Sequence, residues 1–156
     1  MLFWRLRARL SYLLARRLFH WSWLVRQPRA WAWMEGQFAR MAALNDAVAQ
    51  SFYGHLLLFR GRGFGAREEG IRLLGLAANA GDAKAAYQLG VLSLAGDTRA
   101  APDGLAAARW WALAASAGHP LAAHRLAELY QQGGHGLAAN AEQAERYAQR
   151  ATELGL

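Results

Sequence analysis

The sequence predicts an all-α protein, a solenoid of antiparallel helix pairs preceded by an extra basic helix. Alanine and leucine are abundant and only three prolines interrupt the 156 residues, so helix propensity outweighs strand propensity almost everywhere. A block of sequence recurs thirty-seven residues further on, and such a period in a helix-forming chain denotes stacked supersecondary units. Charge is segregated as well. Residues 1–40 carry eight arginines against the single acid Glu35, whereas residues 41–156 hold ten basic and ten acidic side chains, so the formal charge of +7 belongs to the N-terminal segment.

The first element, within residues 1–27, is expected as one helix from about residue 2 to 26. Arg5, Arg9, Arg16 and His20 fall on one side of it, with Arg17 nearby, while Phe3, Leu6, Leu10, Leu14 and Trp21 run along another; Arg7 interrupts the pattern. Five of the seven tryptophans, Trp4, Trp21, Trp23, Trp31 and Trp33, also lie in the basic segment. Two roles fit. The helix can cap the open end of the solenoid with its apolar side, leaving its arginines solvated. Alternatively it docks on an anionic membrane surface, where each basic side chain contributes on the order of 1 kcal/mol and tryptophan favours the interface. Contacts to lipid, or to an acidic partner, would then come from Arg5, Arg9, Arg16, Arg17 and Trp21. The longest apolar stretch, Leu10 to Ala15, contains Ser11 and Tyr12 and closes on Arg16-Arg17, too short and too polar for a secretory signal or a membrane span. The expected location is the cytoplasm, with peripheral attachment to the inner membrane face as the variant. Nucleic acid is disfavoured as a partner, because no recognition motif is present and the repeat body has no matching basic groove.

Pro28 ends the first segment, since it disfavours helix at the preceding residue and cannot donate within one. A second helix is expected near residues 30–43, making residues 28–44 a cap or half-repeat. Arg40-Met41-Ala42-Ala43 stands there in the place of Ala77 to Ala80. Residues 45–156 then divide into a degenerate unit, 45–81, and two clear ones, 82–118 and 119–155. Ala77-Ala78-Asn79-Ala80-Gly81 returns as Ala114-Ala115-Ser116-Ala117-Gly118, and the same step carries Leu89 to Leu126, Gly96 to Gly133, Trp110 to Tyr147 and Gly118 to Gly155. In reverse it aligns Asn45 with Asp82, Phe52 with Leu89 and Leu73 with Trp110. Within a unit, a first helix near 83–95 presents Ala86, Leu89, Gly90 and Ser93 as a smooth stripe. Gly96-Asp97 stops it, and Pro102-Asp103 suits the first turn of the next helix. That helix, near 103–117, places Ala107, Trp110, Trp111 and Ala114 on its packing side, and Gly118 supplies a left-handed C-cap.

These residues resemble Sel1-like repeats, relatives of the tetratricopeptide class. The resemblance rests on Ala86-Tyr87-Gln88-Leu89-Gly90, Ala107-Ala108-Arg109-Trp110-Trp111 and Ala114-Ala115-Ser116-Ala117-Gly118-His119, repeated at Ala123 to Ala127, Ala144 to Tyr147 and Ala151 to Gly155. Ala127 replaces the glycine of Leu89-Gly90, and Gly70 and Leu73-Leu74 stand where alanine and aromatics are usual. The resemblance implies a right-handed superhelix whose concave face binds peptides or proteins, commonly as an adaptor in bacterial signalling, secretion or envelope systems. It implies a non-enzymatic scaffold.

The remaining candidate sites are bland. Gly61-Arg62-Gly63-Phe64-Gly65 joins two helices and lacks the lysine of a phosphate-cradling loop, and Gly134-His135-Gly136-Leu137 is the similar turn of the last unit. His124 and Glu128 lie one helical turn apart with His119 upstream, too few ligands for a metal centre, and the absence of cysteine removes thiolate sites and disulfides. No cofactor is expected, and no serine, histidine and acid form a catalytic motif. Among aromatics, Trp110 and Tyr147 occupy matched positions and are expected in the core. Tyr87 and Trp111, whose counterparts are His124 and Ala148, are expected to face a groove, so the expected partner-binding set is Tyr87, Trp111, His124 and Tyr130.

Overall fold

The computed structural model describes residues 2–61 and 63–156, which fold into nine helices with no strand among the described residues: α1 (Leu2–Leu18), α2 (Ser22–Val25), α3 (Pro28–Ala43), α4 (Ala47–Arg60), α5 (Ala66–Asn79), α6 (Ala83–Ala95), α7 (Gly104–Ser116), α8 (Pro120–Gln132) and α9 (Ala141–Glu153). Arg62, in the α4–α5 connection, lies outside the described residues. No helix of the described residues is long and apolar enough to cross a membrane.

Five of these helices begin on a side chain that accepts a hydrogen bond from an otherwise unpaired amide, which fixes where each one starts. Asp46 accepts from the Ala49 N–H at 2.9 Å, Asp82 from Ala85 and Asp103 from Ala106 at 2.8 Å, and Asn140 from Gln143 at 3.0 Å. The ring Nδ1 of His119 does the same for Ala122 at 3.2 Å. Helix ends are equally regular. Gly81, Gly118 and Gly155 adopt φ of 97°, 88° and 97°, and the residue after each donates back to Ala77, Ala114 and Ala151 respectively, the closing bond of a left-handed C-cap.

Asn45, at φ 60°, holds that same left-handed position after α3. It corrects the alignment read from the sequence. Asn45 matches Gly81, not Asp82, and the helix-capping match is Asp46 with Asp82, so the first unit is one residue shorter than the next. Burial follows the corrected step: the pairs Met41-Ala42, Ala77-Ala78 and Ala114-Ala115 are all buried at the ends of α3, α5 and α7. Thus α3 occupies the place of a second repeat helix without a first helix of its own kind.

The chain divides inside α5 into two compact units, one ending at Leu73 and the other beginning at Leu74. In the first, Ala8, Tyr12 and Ala15 of α1 pack with Met34, Phe38 and Met41 of α3 and with Ala49 and Leu56 of α4. Phe38, Phe52, Phe19 and Tyr12 meet edge to face, with Phe38 and Phe52 centroids 4.9 Å apart. The single helix expected over residues 2–26 is broken after Leu18. Phe19 turns into this aromatic cluster, and the chain must reverse there for α3 to pack back against α1. The expected apolar side of the first helix is also not the packing side: Phe3, Leu6, Leu10 and Leu14 remain exposed, from 53% at Leu14 to 76% at Phe3, because small Ala8 and Ala15 permit the closer helix approach on the other side.

In the second unit the hairpins α6–α7 and α8–α9 are built around alanines. Ala85, Ala86, Ala107, Ala108, Ala114 and Ala115, then Ala122, Ala123 and Ala151, are all buried, with Leu89 and Leu126 the larger fillers. Each hairpin is closed in the same way: the Asp103 N–H donates to Ser93 and the Asn140 N–H to Tyr130, both at 2.8 Å. The α7 start is tied to the following unit by a 2.7 Å bond from the Gly104 N–H to His135, which fixes the stacking of consecutive hairpins.

Candidate functional site

A groove of about 540 Å³ opens on the face shared by the two first helices of the second unit. From α6 it takes Tyr87, Val91, Leu94 and Ala95, and from α8 Arg125, Glu128, Leu129 and Gln132; Trp111 of α7 lies beneath. The helical step of three and four residues places Tyr87, Val91 and Leu94 in one row, and Arg125, Glu128, Leu129 and Gln132 in another. Charge within the groove is balanced. Arg125 donates to Glu128 at 3.2 Å, and His124 Nε2 lies 3.5 Å from the same carboxylate, all three side chains being substantially solvated.

Of the four residues expected to bind a partner, the structure brings Tyr87 and Trp111 together in the groove. His124 is adjacent, reaching the site only through Glu128. Tyr130 points elsewhere, stacked on Tyr147 of α9 with ring centroids 6.0 Å apart. Trp111 lines the groove as its buried floor: it is 3% exposed, and its indole lies across the α6 backbone, donating from Nε1 to the Tyr87 carbonyl at 3.2 Å. A Cβ added at Gly90 would collide with that ring. Trp110, expected in the core, is only half-buried, as is Tyr147, which packs beside Ala115, Ala123 and Ala151. The signal was present in the helix periodicity: Ala107, Trp111, Ala114 and Ala115 fall on one stripe, whereas Trp110 sits at its edge.

His119 was missed as part of this site. Its ring stacks on Tyr87 with centroids 4.6 Å apart and planes within 8°, holding the tyrosine against Trp111. Burial pushes the His119 imidazole below its ordinary value of 6.5, and the charge of Lys84 adds to this. A neutral ring is also what its capping bond requires, since Nδ1 must accept from Ala122.

The basic N-terminal residues are distributed around α1. Arg5 and Arg9 border a cleft of about 320 Å³ that also contains Asp46, and Arg16 lies over the Phe52 ring at 5.4 Å. By its helical position Arg17 falls among the exposed Leu6, Leu10, Leu13 and Leu14, while Trp21 is exposed and paired with Trp23 at 6.5 Å. No group of three or more histidine, aspartate or glutamate side chains among the described residues could hold a metal ion.

Capped hairpins, a shared helix–helix step and a groove across first helices define a helical-repeat protein. The chain belongs to the Sel1 repeat family: the family profile, described as Sel1 repeat, matches residues 47–82, 83–119 and 120–156. Members of this family generally serve as protein–protein interaction scaffolds. Among solved structures, the chain is similar to a Sel1 repeat protein from Oxalobacter formigenes, with 27% identity and a TM-score of 0.68 over 78% of this chain and 34% of that one. It is also similar to a protective antigen of uropathogenic Escherichia coli described as displaying an SLR fold, with 25% identity and a TM-score of 0.67 over 79% of this chain and 26% of that one. The chain therefore spans only a quarter to a third of the length of these two proteins. No curated protein matches it.

Proposed function

We propose that the protein is a non-enzymatic scaffold that binds a peptide segment of another protein in the α6–α8 groove. The observation that carries this reading is the pairing of an apolar row, Tyr87, Val91 and Leu94, with a row from α8 that offers both apolar and hydrogen-bonding groups, Leu129, Gln132 and the Arg125–Glu128 pair. Such a surface takes apolar side chains from the peptide and satisfies its backbone, with no demand for net charge. Peptides selected from a displayed random library on the whole chain test it. Selected peptides should lose at least about tenfold in affinity, near 1.4 kcal/mol, for Tyr87→Ala combined with Leu94→Ser. Retained affinity in a variant that unfolds like the parent would remove the groove from the function.

A second reading is favoured by the outward face of α1. Leu6, Leu10, Leu13 and Leu14, with Phe3, form an apolar strip turned away from the packing side, and arginines flank it: Arg5, Arg9 and Arg16 along one border and Arg7 along the other. This pattern supports peripheral attachment of the scaffold to an anionic leaflet, the strip entering the headgroup region and the arginines meeting lipid phosphates. Flotation with vesicles of equimolar phosphatidylglycerol and phosphatidylcholine should recover the protein, and Leu6→Gln, Leu10→Gln and Leu14→Gln together should abolish recovery. Equal recovery with phosphatidylcholine alone, or in the triple variant, would defeat attachment.

A further inference from the structure

A cleft of the first unit that neither reading uses lies where the α2–α3 turn faces the end of α4. It measures about 650 Å³ and is lined by Val25, Arg26, Pro28, Trp31, Phe59 and Arg60, with Gly61 at its edge. Its lining combines four apolar residues, two arginines and no carboxylate. Neither Arg26 nor Arg60 has an acidic partner among the described residues. Glu35 is the sole acid before Asp46, and its charge acts on Tyr53, raising the phenol. Arg60 lies over the Phe19 ring at 5.5 Å, a cation–π contact.

We propose that this cleft seats the phosphate of an anionic phospholipid headgroup. Two arginines line the cleft, each with N–H donors that suit the two non-bridging oxygens of a phosphodiester, and no carboxylate lines it to repel them. The volume falls in the range of small-ligand sites. The rim is built for a lipid rather than a free anion. Phe59 in the lining is 66% exposed, and Trp21 and Trp23, at the start of the short α2 that ends at the cleft residue Val25, are 55% and 60% exposed, residue types that settle at the headgroup level. The proposal rests on the attachment reading for α1, but it concerns other residues and has its own readout.

The test uses the whole chain and dihexanoyl-phosphatidylglycerol below its micelle-forming concentration, titrated calorimetrically. The lipid should bind, dihexanoyl-phosphatidylcholine should bind much less because its ammonium meets two arginines, and Arg26→Gln with Arg60→Gln should weaken binding by about tenfold or more. Inorganic phosphate at the same concentration should not compete; if it does, the site takes free phosphate and the lipid proposal is overturned. Indifference of the monomeric lipid to the Arg26→Gln and Arg60→Gln pair overturns it as well. The two ideas fail separately. The α1 triple variant should lose vesicle recovery yet keep the soluble lipid, whereas recovery that persists without any soluble-lipid binding leaves attachment standing and removes the cleft.

Discussion

Gly90 and Trp111 form a pair whose energetics can be worked out in advance. The indole covers the α6 backbone at this point, so a methyl group at residue 90 must displace a ring that is 3% exposed and hydrogen-bonded to Tyr87. Overpacking of this kind costs about 1–3 kcal/mol, and replacing a mid-helix glycine by alanine returns about 1 kcal/mol, so Gly90→Ala should range from neutral to about 2 kcal/mol destabilising. Trp111→Ala should cost about 3–5 kcal/mol. In the Trp111→Ala background the obstruction is gone, and Gly90→Ala should then stabilise by about 0.5–1 kcal/mol. The double-mutant cycle, measured by urea unfolding followed by circular dichroism, should therefore show a coupling of about 1–3 kcal/mol. A coupling below about 0.5 kcal/mol would refute the packing account. The chain carries its own version of the double variant: one unit later the same positions are Ala127 and Ala148, with no indole and no need for glycine. Trp110→Ala, which removes a half-buried ring, should cost clearly less than Trp111→Ala.

Further expectations follow from the caps and from two titrating groups. Asp82→Ala removes the acceptor for Ala85 and should lower stability by about 1 kcal/mol, with Asp82→Asn close to the parent, as read from urea midpoints. His119 is held below 6.5 in the fold, so its contribution is present in full above 6.5 and is lost as pH falls through the window beneath that value; His119→Asn should flatten stability between pH 7 and pH 5 to about the level set by other groups. Burial, then the charges of Glu35 and Glu69, push the Tyr53 phenol up to about 12. The stability it contributes is therefore present below 10.0, its unfolded value, and declines as pH rises from there towards 12, a slope that Tyr53→Phe should remove. The α1 triple variant Leu6→Gln, Leu10→Gln and Leu14→Gln should shift the unfolding midpoint by no more than about 0.5 kcal/mol equivalent, since those side chains are exposed; a large loss would mean that the strip packs within the protein.

The repeat was legible because its markers are backbone-dictated. A left-handed C-cap favours glycine or asparagine and an N-cap favours a short acceptor, so Gly81, Gly118, Asp82 and Asp103 announce helix boundaries whatever packs around them. The same chemistry explains the misalignment of the first unit. Asn45 can fill either role, and taken as a cap acceptor it pairs with Asp82, but its φ of 60° assigns it to the left-handed position and leaves Asp46 as the acceptor. The thirty-seven-residue step is therefore one residue too long here and sets Met41-Ala42 out of register.

Side-chain direction was less legible, for a reason visible at two places. A half-apolar helix has one core-facing stripe that periodicity can find, but α1 is apolar on two sides: Ala8, Tyr12 and Ala15 on one, Leu6, Leu10 and Leu14 on the other. Periodicity ranks the larger leucines first, whereas close helix contact selects the small residues, and the structure follows contact. At Trp110-Trp111 adjacent large rings point about 100° apart, so only one can enter the interface. The deciding residue lies on a different helix, Gly90, twenty-one positions earlier, where the missing Cβ makes room for one indole. The groove inherits this arrangement: Trp111 forms its floor, and Tyr87 is held between that floor and His119.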